Sequence, residues 1–157
     1  MKNKNVSLYK CIKIVEKLKR QKKKIVMTNG CFDIIHSGHV DYLVKSKKLG
    51  DILIVAVNSD KSIKKLKGKS RPVNNLKNRI KVLNSMSFID FIISFNYETP
   101  QKIYEKILPD ILTKGTQYRK MEVAGGKIVI ENGGKVSFIK MTVGQSTTKI
   151  LNKILHL

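Results

Sequence analysis

One stretch, residues 25 to 49, limits what this chain can fold into more than any other. Ile25-Val26-Met27-Thr28 is short, apolar and β-branched, the composition of a buried strand. Asn29-Gly30 breaks it, and from Gly38 onward Val40, Leu43, Val44 and Leu49 recur at helical spacing. A strand that ends in a glycine turn and feeds a helix leaves unpaired backbone N–H groups at the helix start, which suit an anion. His36 and His39, in His36-Ser37-Gly38-His39, fall on one face of that first turn. Backbone donors and two imidazoles make a site for a polyphosphate at the C-terminal edge of a sheet.

The rest of the chain alternates in the same way. Ser7 predicts an N-cap for a helix with Leu8, Cys11, Ile12, Val15 and Leu18 on one face, running to Lys22-Lys23-Lys24. Ile52 to Val57 is wholly apolar and predicts a central strand. Residues 58 to 71 read as a Lys-rich, Gly-containing loop, then a helix carries Leu76, Ile80 and Leu83, and a strand lies near Phe88 to Ser94. Thr99-Pro100 reads as the N-cap and first residue of a helix with Ile103 and Ile107 inside. Strands at Ile111 to Lys114 and Lys135 to Lys140 and a helix from Thr147 to Leu155 follow. Lys127 to Ile130, with Asn132-Gly133-Gly134 after it, reads by itself as half a β-hairpin. The expectation is an α/β fold, a Rossmann-like five-strand parallel sheet flanked by helices and joined by right-handed crossovers. Residues 1–24 are expected to form an N-terminal helix and basic linker, and residues 25–157 the functional domain.

Composition narrows the classes further. A chain of 157 residues, 41% apolar, supports one domain with a substantial core. The clean apolar run at Ile52 to Val57 is too short to span a membrane, and Met1-Lys2-Asn3-Lys4-Asn5 lacks the apolar stretch of a signal peptide. Cys11 and Cys31 have no framework partners, which predicts a reducing, cytoplasmic setting. The net charge of +21 comes from 28 Lys against 4 Arg spread along the chain. Arg, the residue for bidentate phosphate and base-edge contacts, is scarce, so nucleic acid is expected to bind only non-specifically.

Asn29-Gly30-Cys31-Phe32-Asp33 followed by His36-Ser37-Gly38-His39 resembles the signature of the nucleotidyltransferase superfamily that includes the cytidylyltransferases. Lys67-Gly68-Lys69-Ser70-Arg71-Pro72-Val73-Asn74, Arg79, Lys114-Gly115 and Gly144-Gln145-Ser146-Thr147-Thr148 follow in order. The ordered set is similar to the adenylyltransferase half of the bifunctional ADP-heptose synthases, over about residues 25 to 155. That resemblance implies a sheet of nucleotidyltransferase type, with a helix at residues 127–130 in place of the hairpin. It implies transfer of the adenylyl group of ATP, bound with Mg²⁺, to D-glycero-β-D-manno-heptose 1-phosphate. The products would be pyrophosphate and ADP-heptose, for lipopolysaccharide core synthesis. It further implies a homo-oligomer, a dimer, and, since the kinase half is missing from this sequence, a separate heptose 7-phosphate kinase in the same pathway. Two alternatives stand beside it: a cytidylyltransferase for glycerol 3-phosphate or a similar alcohol phosphate, and a degenerate basic nucleotide- or nucleic-acid-binding protein without turnover.

Residue by residue, the resemblance implies catalytic roles for His36, His39 and Lys67 in stabilising charge on the phosphates. It assigns nucleotide binding to Asn29, Gly30, Cys31, Phe32, Asp33, Gly38, Gly115, Ser146, Thr147 and Thr148, and sugar-phosphate binding to Arg71, Arg79, Lys114, Gln117 and Tyr118. Plainer readings accompany several of these. The two histidines lack a third metal ligand, so no protein-held metal is expected. Phe32 could be core, Asp33 could cap its loop, and Lys67 sits in a solvated run with Lys61, Lys64, Lys65 and Lys69. Ser146-Thr147-Thr148 would cap a helix in any protein. Arg71 and Arg79 are half of the chain's arginines, which points to a need for fixed fork geometry, with structural pairing the alternative for Arg79. Gln117 and Val143 depart from acidic residues of the heptose enzymes and bear on sugar recognition and rate. Neither a Walker loop nor Gly-x-Gly-x-x-Gly is present.

Overall fold

Alternate residues of the first two strands face opposite helical layers, and this sets the architecture. In the computed structural model, which describes residues 3–118, 123–140 and 146–156 (without the side chains of Gln117 and Leu155), β1 is Ile25–Gly30 and β2 is Ile52–Asn58. Ile25, Met27, Ile54 and Ala56 pack on one face with Cys11 and Val15 of α1 (Leu8–Arg20) and with Ile103, Tyr104 and Ile107 of α5 (Gln101–Ile107). Val26, Leu53, Val55 and Val57 pack on the other face with Tyr42 and Leu43 of α2 (Ser37–Lys47) and Leu83 of α4 (Leu76–Asn84). Strands apolar on both sides are what a parallel sheet covered by helices requires.

The five strands, completed by β3 (Phe91–Phe95), β4 (Ile111–Gly115) and β5 (Lys135–Ile139), lie in the order β3-β2-β1-β4-β5 and pair in parallel throughout. The order reverses at β1, which is the crevice where doubly wound folds bind ligands. β1 stays paired with β2 from Ile25–Ile52 to Gly30–Val57, but its pairing with β4 covers Val26–Ile111 and Met27–Leu112. Beyond that point β1 and β4 part company. Residues 4 to 6 run along β3, Val6 N donating to Ile92 O and Ile92 N to Lys4 O, both at 2.9 Å.

Local chemistry explains most boundaries. Ser7 caps α1 by accepting from Lys10 N, and Ser146 caps α7 (Thr147–Leu155) by accepting from Lys149 N. The segment that reads alone as a hairpin is the helix α6 (Gly126–Glu131), its Val129 buried in the sheet-facing core. Three expectations need correction. Residues 60 to 67 are a helix, α3 (Asp60–Lys67), not loop: Ser59 caps it, Asp60 suits its first turn, its lysines suit its last, and Ile63 anchors it. The strand expected near Phe88 starts at Phe91, because Asp90 turns inward and accepts from Leu53 N at 2.7 Å. The N-cap of α5 is Pro100, whose carbonyl accepts from Ile103 N and Tyr104 N, and not Thr99.

Gly125 supports a test of this packing. Its φ is +78°, and a Cβ there would meet Tyr104 Cδ2 at 2.4 Å; Gly133, at φ +80°, has open space. Gly125→Ala is expected to cost roughly 2–4 kcal/mol, backbone strain plus overpacking, and Gly133→Ala about 1 kcal/mol from strain alone. Urea unfolding of the two variants measures the difference, and equal losses would remove the clash at Tyr104 from the account.

Candidate active site

Where β1 and β4 diverge, polar side chains fill the gap. Thr28 Oγ1 lies 2.7 Å from Tyr42 OH and donates to Thr113 O at 3.2 Å; Tyr42 OH donates to Thr113 Oγ1 at 3.3 Å. Ser46 Oγ stands 3.0 Å from Thr113 Oγ1, so four buried hydroxyls tie α2 to both strands. The buried face of α2 is therefore Gly38, Tyr42, Leu43 and Ser46, not the purely apolar stripe that its spacing predicts. Above this floor opens a cleft of about 670 Å³.

The turn after β1 brings the histidines to its wall. Phe32 takes φ +48°, a costly backbone for a bulky residue, and is buried with its ring 5.5 Å from that of His39. A Cβ on Gly30 would meet that ring at 3.0 Å, so the glycine permits the close fold of the turn. His36 is the N-cap of α2, its carbonyl accepting from His39 N at 2.9 Å, and the two imidazole centroids stand 4.0 Å apart. Burial depresses both pKa values; for His39, burial and then the charges of His36 and Lys67 bring it down to about 4. Both rings are thus neutral at pH 7. Nδ1 of each is buried without a hydrogen-bond partner among the described residues, so the protein leaves the proton free to sit on the other ring nitrogen.

The remaining walls come from distant segments. Lys67, at the end of α3, lines the cleft on one side, with Leu66, Glu98 and Pro100. Lys114 and Gly115 at the end of β4, then Tyr118 in the 3-10 turn Thr116–Tyr118, line the other. Ser146, Thr147 and Thr148 bring in the N-terminus of α7, where Thr147 Oγ1 donates to Ile34 O at 3.4 Å. Burial lowers the pKa of Lys114 to about 8, and its ammonium donates to Asn29 Oδ1 and lies 5.6 Å from the Tyr118 ring centre. Burial raises the pKa of Cys31, ahead of the opposing charges of Lys67 and Arg79, so this cleft thiol stays protonated at neutral pH.

The structure thus gathers Asn29, Gly30, Cys31, Phe32, Asp33, His36, His39, Lys67, Lys114, Gly115, Tyr118 and Ser146 to Thr148 around one cavity. It sets three expected residues apart from that lining. Gly38 is buried in α2. Arg79 is 1% exposed, its guanidinium donating to Asn74 O, Cys31 O, Asn58 O and Asp60 Oδ1 at 2.5–3.0 Å, so it frames the site from beneath. Arg71 pairs with Asp33 at 2.6 Å. The Asp33 carboxylate also accepts from Val73 N and Asn74 N, and so clamps the 71–74 loop onto the histidine turn. The Gln117 side chain, and Val143, Gly144 and Gln145, lie outside the described residues. Tyr42 and Asn58 also line the cleft, and no sequence signal marked them; Tyr42 lies one turn after Gly38 on the buried face of α2, the one trace available.

Known proteins are similar to this chain in sequence and in fold. A model of cytidylyltransferase-like proteins matches residues 27–152. The chain is 52% identical over 140 residues to the bifunctional protein HldE of Haemophilus influenzae (strain PittEE), covering 89% of this chain and 29% of that protein. It is 52% identical over 142 residues to HldE of Pectobacterium carotovorum, covering 90% of this chain and 30% of that one. The chain therefore spans less than a third of the length of these relatives. The crystal structure of the lipopolysaccharide core biosynthesis protein from Thermoplasma volcanium matches with a TM-score of 0.62 at 31% identity, over 76% of this chain and 97% of that one. A pantoate-beta-alanine ligase from Francisella tularensis, with a TM-score of 0.63 at 16% identity over 98% of this chain and 78% of its own, shares the fold. With a family model over most of its length, and with the expected motifs drawn to one crevice, this chain belongs to the cytidylyltransferase-like family.

Proposed function

We infer that the chain is an adenylyltransferase that joins ATP to a sugar 1-phosphate, D-glycero-β-D-manno-heptose 1-phosphate, releasing pyrophosphate and forming ADP-heptose. One geometric observation supports the transfer chemistry: two neutral imidazoles at the start of α2 share a cleft with the N-terminus of α7 and with Lys67 and Lys114. Such a cleft offers donors and cations to a triphosphate from several directions. The nucleotide and sugar follow from the resemblance to the ADP-heptose synthases and the identity to HldE.

A phosphate oxygen of the sugar attacks the α-phosphorus in line, that new P–O bond forming as the bond to the β-phosphate oxygen breaks and pyrophosphate leaves. His36 and His39 donate to the phosphate oxygens on which charge grows, Lys67 neutralises the departing end, and Lys114 holds the acceptor's phosphate. The residues fit an Mg²⁺ carried by the triphosphate, whose sphere is phosphate oxygen and water, not one caged by the protein. Of the carboxylates lining the cleft among the described residues, Asp33 is engaged by Arg71 and two amides, and Glu98 pairs with Lys65 at 3.1 Å. Bound with ATP, the ion would offset charge on the leaving pyrophosphate.

The test is pyrophosphate release with Mg²⁺, pairing ATP or CTP with heptose 1-phosphate or glycerol 3-phosphate. Release with ATP and heptose 1-phosphate, with ADP-heptose recovered, is the expected result. Release with CTP and glycerol 3-phosphate would move the assignment to the alcohol-phosphate cytidylyltransferases. Nucleotide binding without release from any pair would make the chain a binder.

A further inference from the structure

The ammonium of Lys114 is half-buried in the cleft wall with no carboxylate partner among the described residues. A buried charge without a counter-charge is costly, and here the protein meets it with one neutral acceptor, the Asn29 amide oxygen. Lysine has donors only, so it is the oxygen of that amide that must face it. The second lone pair of the same oxygen is taken by the hydroxyl of Tyr104, which donates at 2.7 Å. Tyr104 lies on α5, fully buried and outside the cleft, with its ring against Gly125. Burial holds its phenol well above the usual tyrosine range, so it remains a donor at any working pH. Asn29 is thus fixed at two points, one from the core and one from the cleft.

We propose that Tyr104 is a positioning residue for an anion subsite at Lys114: through Asn29 Oδ1 its hydroxyl holds the ammonium in place for the phosphate of the acceptor. That the anion is the acceptor's phosphate rests on the adenylyltransferase reading; the positioning of Lys114 does not. The ring of Tyr118 lies beside the ammonium, and the same cleft is lined by Cys31, His36, His39, Tyr42 and Lys67. Its two carboxylates among the described residues are engaged elsewhere, Asp33 by Arg71 and two backbone amides and Glu98 by Lys65. The anion comes with the ligand.

The experiment follows the Lys114 Cε resonance in full-length protein carrying ¹³C-labelled lysine, assigned by its loss in Lys114→Arg and titrated from pH 6 to 10 without ligand. In the wild type the midpoint is expected near 8, as burial dictates. Tyr104→Phe keeps the ring and deletes the hydroxyl, freeing the amide to turn, and the midpoint is expected to fall by roughly half a unit or more. In turnover assays the same variant should raise KM for the sugar phosphate about five- to ten-fold and leave KM for ATP within about two-fold. Asn29→Asp gives an independent reading, because a carboxylate at that position must raise the Lys114 midpoint above the wild-type value. An unchanged midpoint in folded Tyr104→Phe, or in Asn29→Asp, overturns the proposal. Normal titration shifts with no turnover on any sugar phosphate would instead sink the adenylyltransferase reading and leave the positioning of Lys114 standing.

Discussion

His39→Ala, and separately His36→Ala, should lower kcat by about 10²–10³, the usual loss when one donor to developing charge is removed. Stability should change little, because neither Nδ1 is bonded to the protein among the described residues and no hydrogen-bonded partner is stranded by the substitution. Pyrophosphate release and urea unfolding on the same preparations separate the two effects; near-normal turnover in both variants would displace the site from these rings. A pH signature accompanies them. The folded pKa of His39, about 4, lies below its unfolded value near 6.5. As pH falls through that window the unfolded chain takes up a proton that the folded chain refuses, so stability declines from about pH 6.5 downward and levels off near 4. A bound polyphosphate supplies the missing negative charge and should lessen that decline.

Arg79→Met should be among the most destabilising single changes in the chain. The guanidinium is buried and satisfies the carbonyls of Cys31, Asn58 and Asn74 together with the Asp60 carboxylate. Its removal strands those acceptors at once, and a loss of roughly 3–5 kcal/mol is expected from urea unfolding. Arg79→Lys should recover little, since one ammonium cannot reproduce a planar fork reaching four acceptors. Turnover should fall with stability, because Cys31 and Asn58 line the cleft. A loss under about 1 kcal/mol would mean that water readily replaces the guanidinium.

The contrast between Arg79 and Lys67 shows what a sequence can and cannot disclose here. Both stand in the ordered motifs of the sequence, and arginine in a lysine-rich chain points to fork geometry. The fork is present, but it grips backbone carbonyls beneath the site, a target that leaves no trace in residue types. The strands at Ile25 and Ile52 and the helix at Thr147 were legible because apolar runs and a serine cap act locally. α3 was not, because it is short and strongly polar, with four lysines and one buried aliphatic residue, a composition that reads as a solvated loop. The hairpin-like reading of residues 127–130 lost to a helix because Val129 belongs to the core, a tertiary fact. Tyr42 and Tyr104 look like ordinary aromatic core residues in sequence; only the hydroxyls of Thr28 and Thr113, and the amide of Asn29, give their oxygens a purpose.

The parting of β1 from β4 beyond Met27 and Leu112 also bears on how the protein is made. The histidine wall is encoded before residue 40, whereas Lys114, Gly115 and the start of α7, which complete the lining, are encoded after residue 110. A ribosome adds residues N-terminal first, so a nascent chain halted after β3 could pair β1 with β2 and β2 with β3 yet expose the β4 side of β1 to water. Nucleotide capture then becomes a report on whether β4 and α7 have joined the sheet. Chains halted near residue 100 should fail to retain ATP on a resin, and chains extended through α7 should retain it, because one half of the grip is translated well after the other.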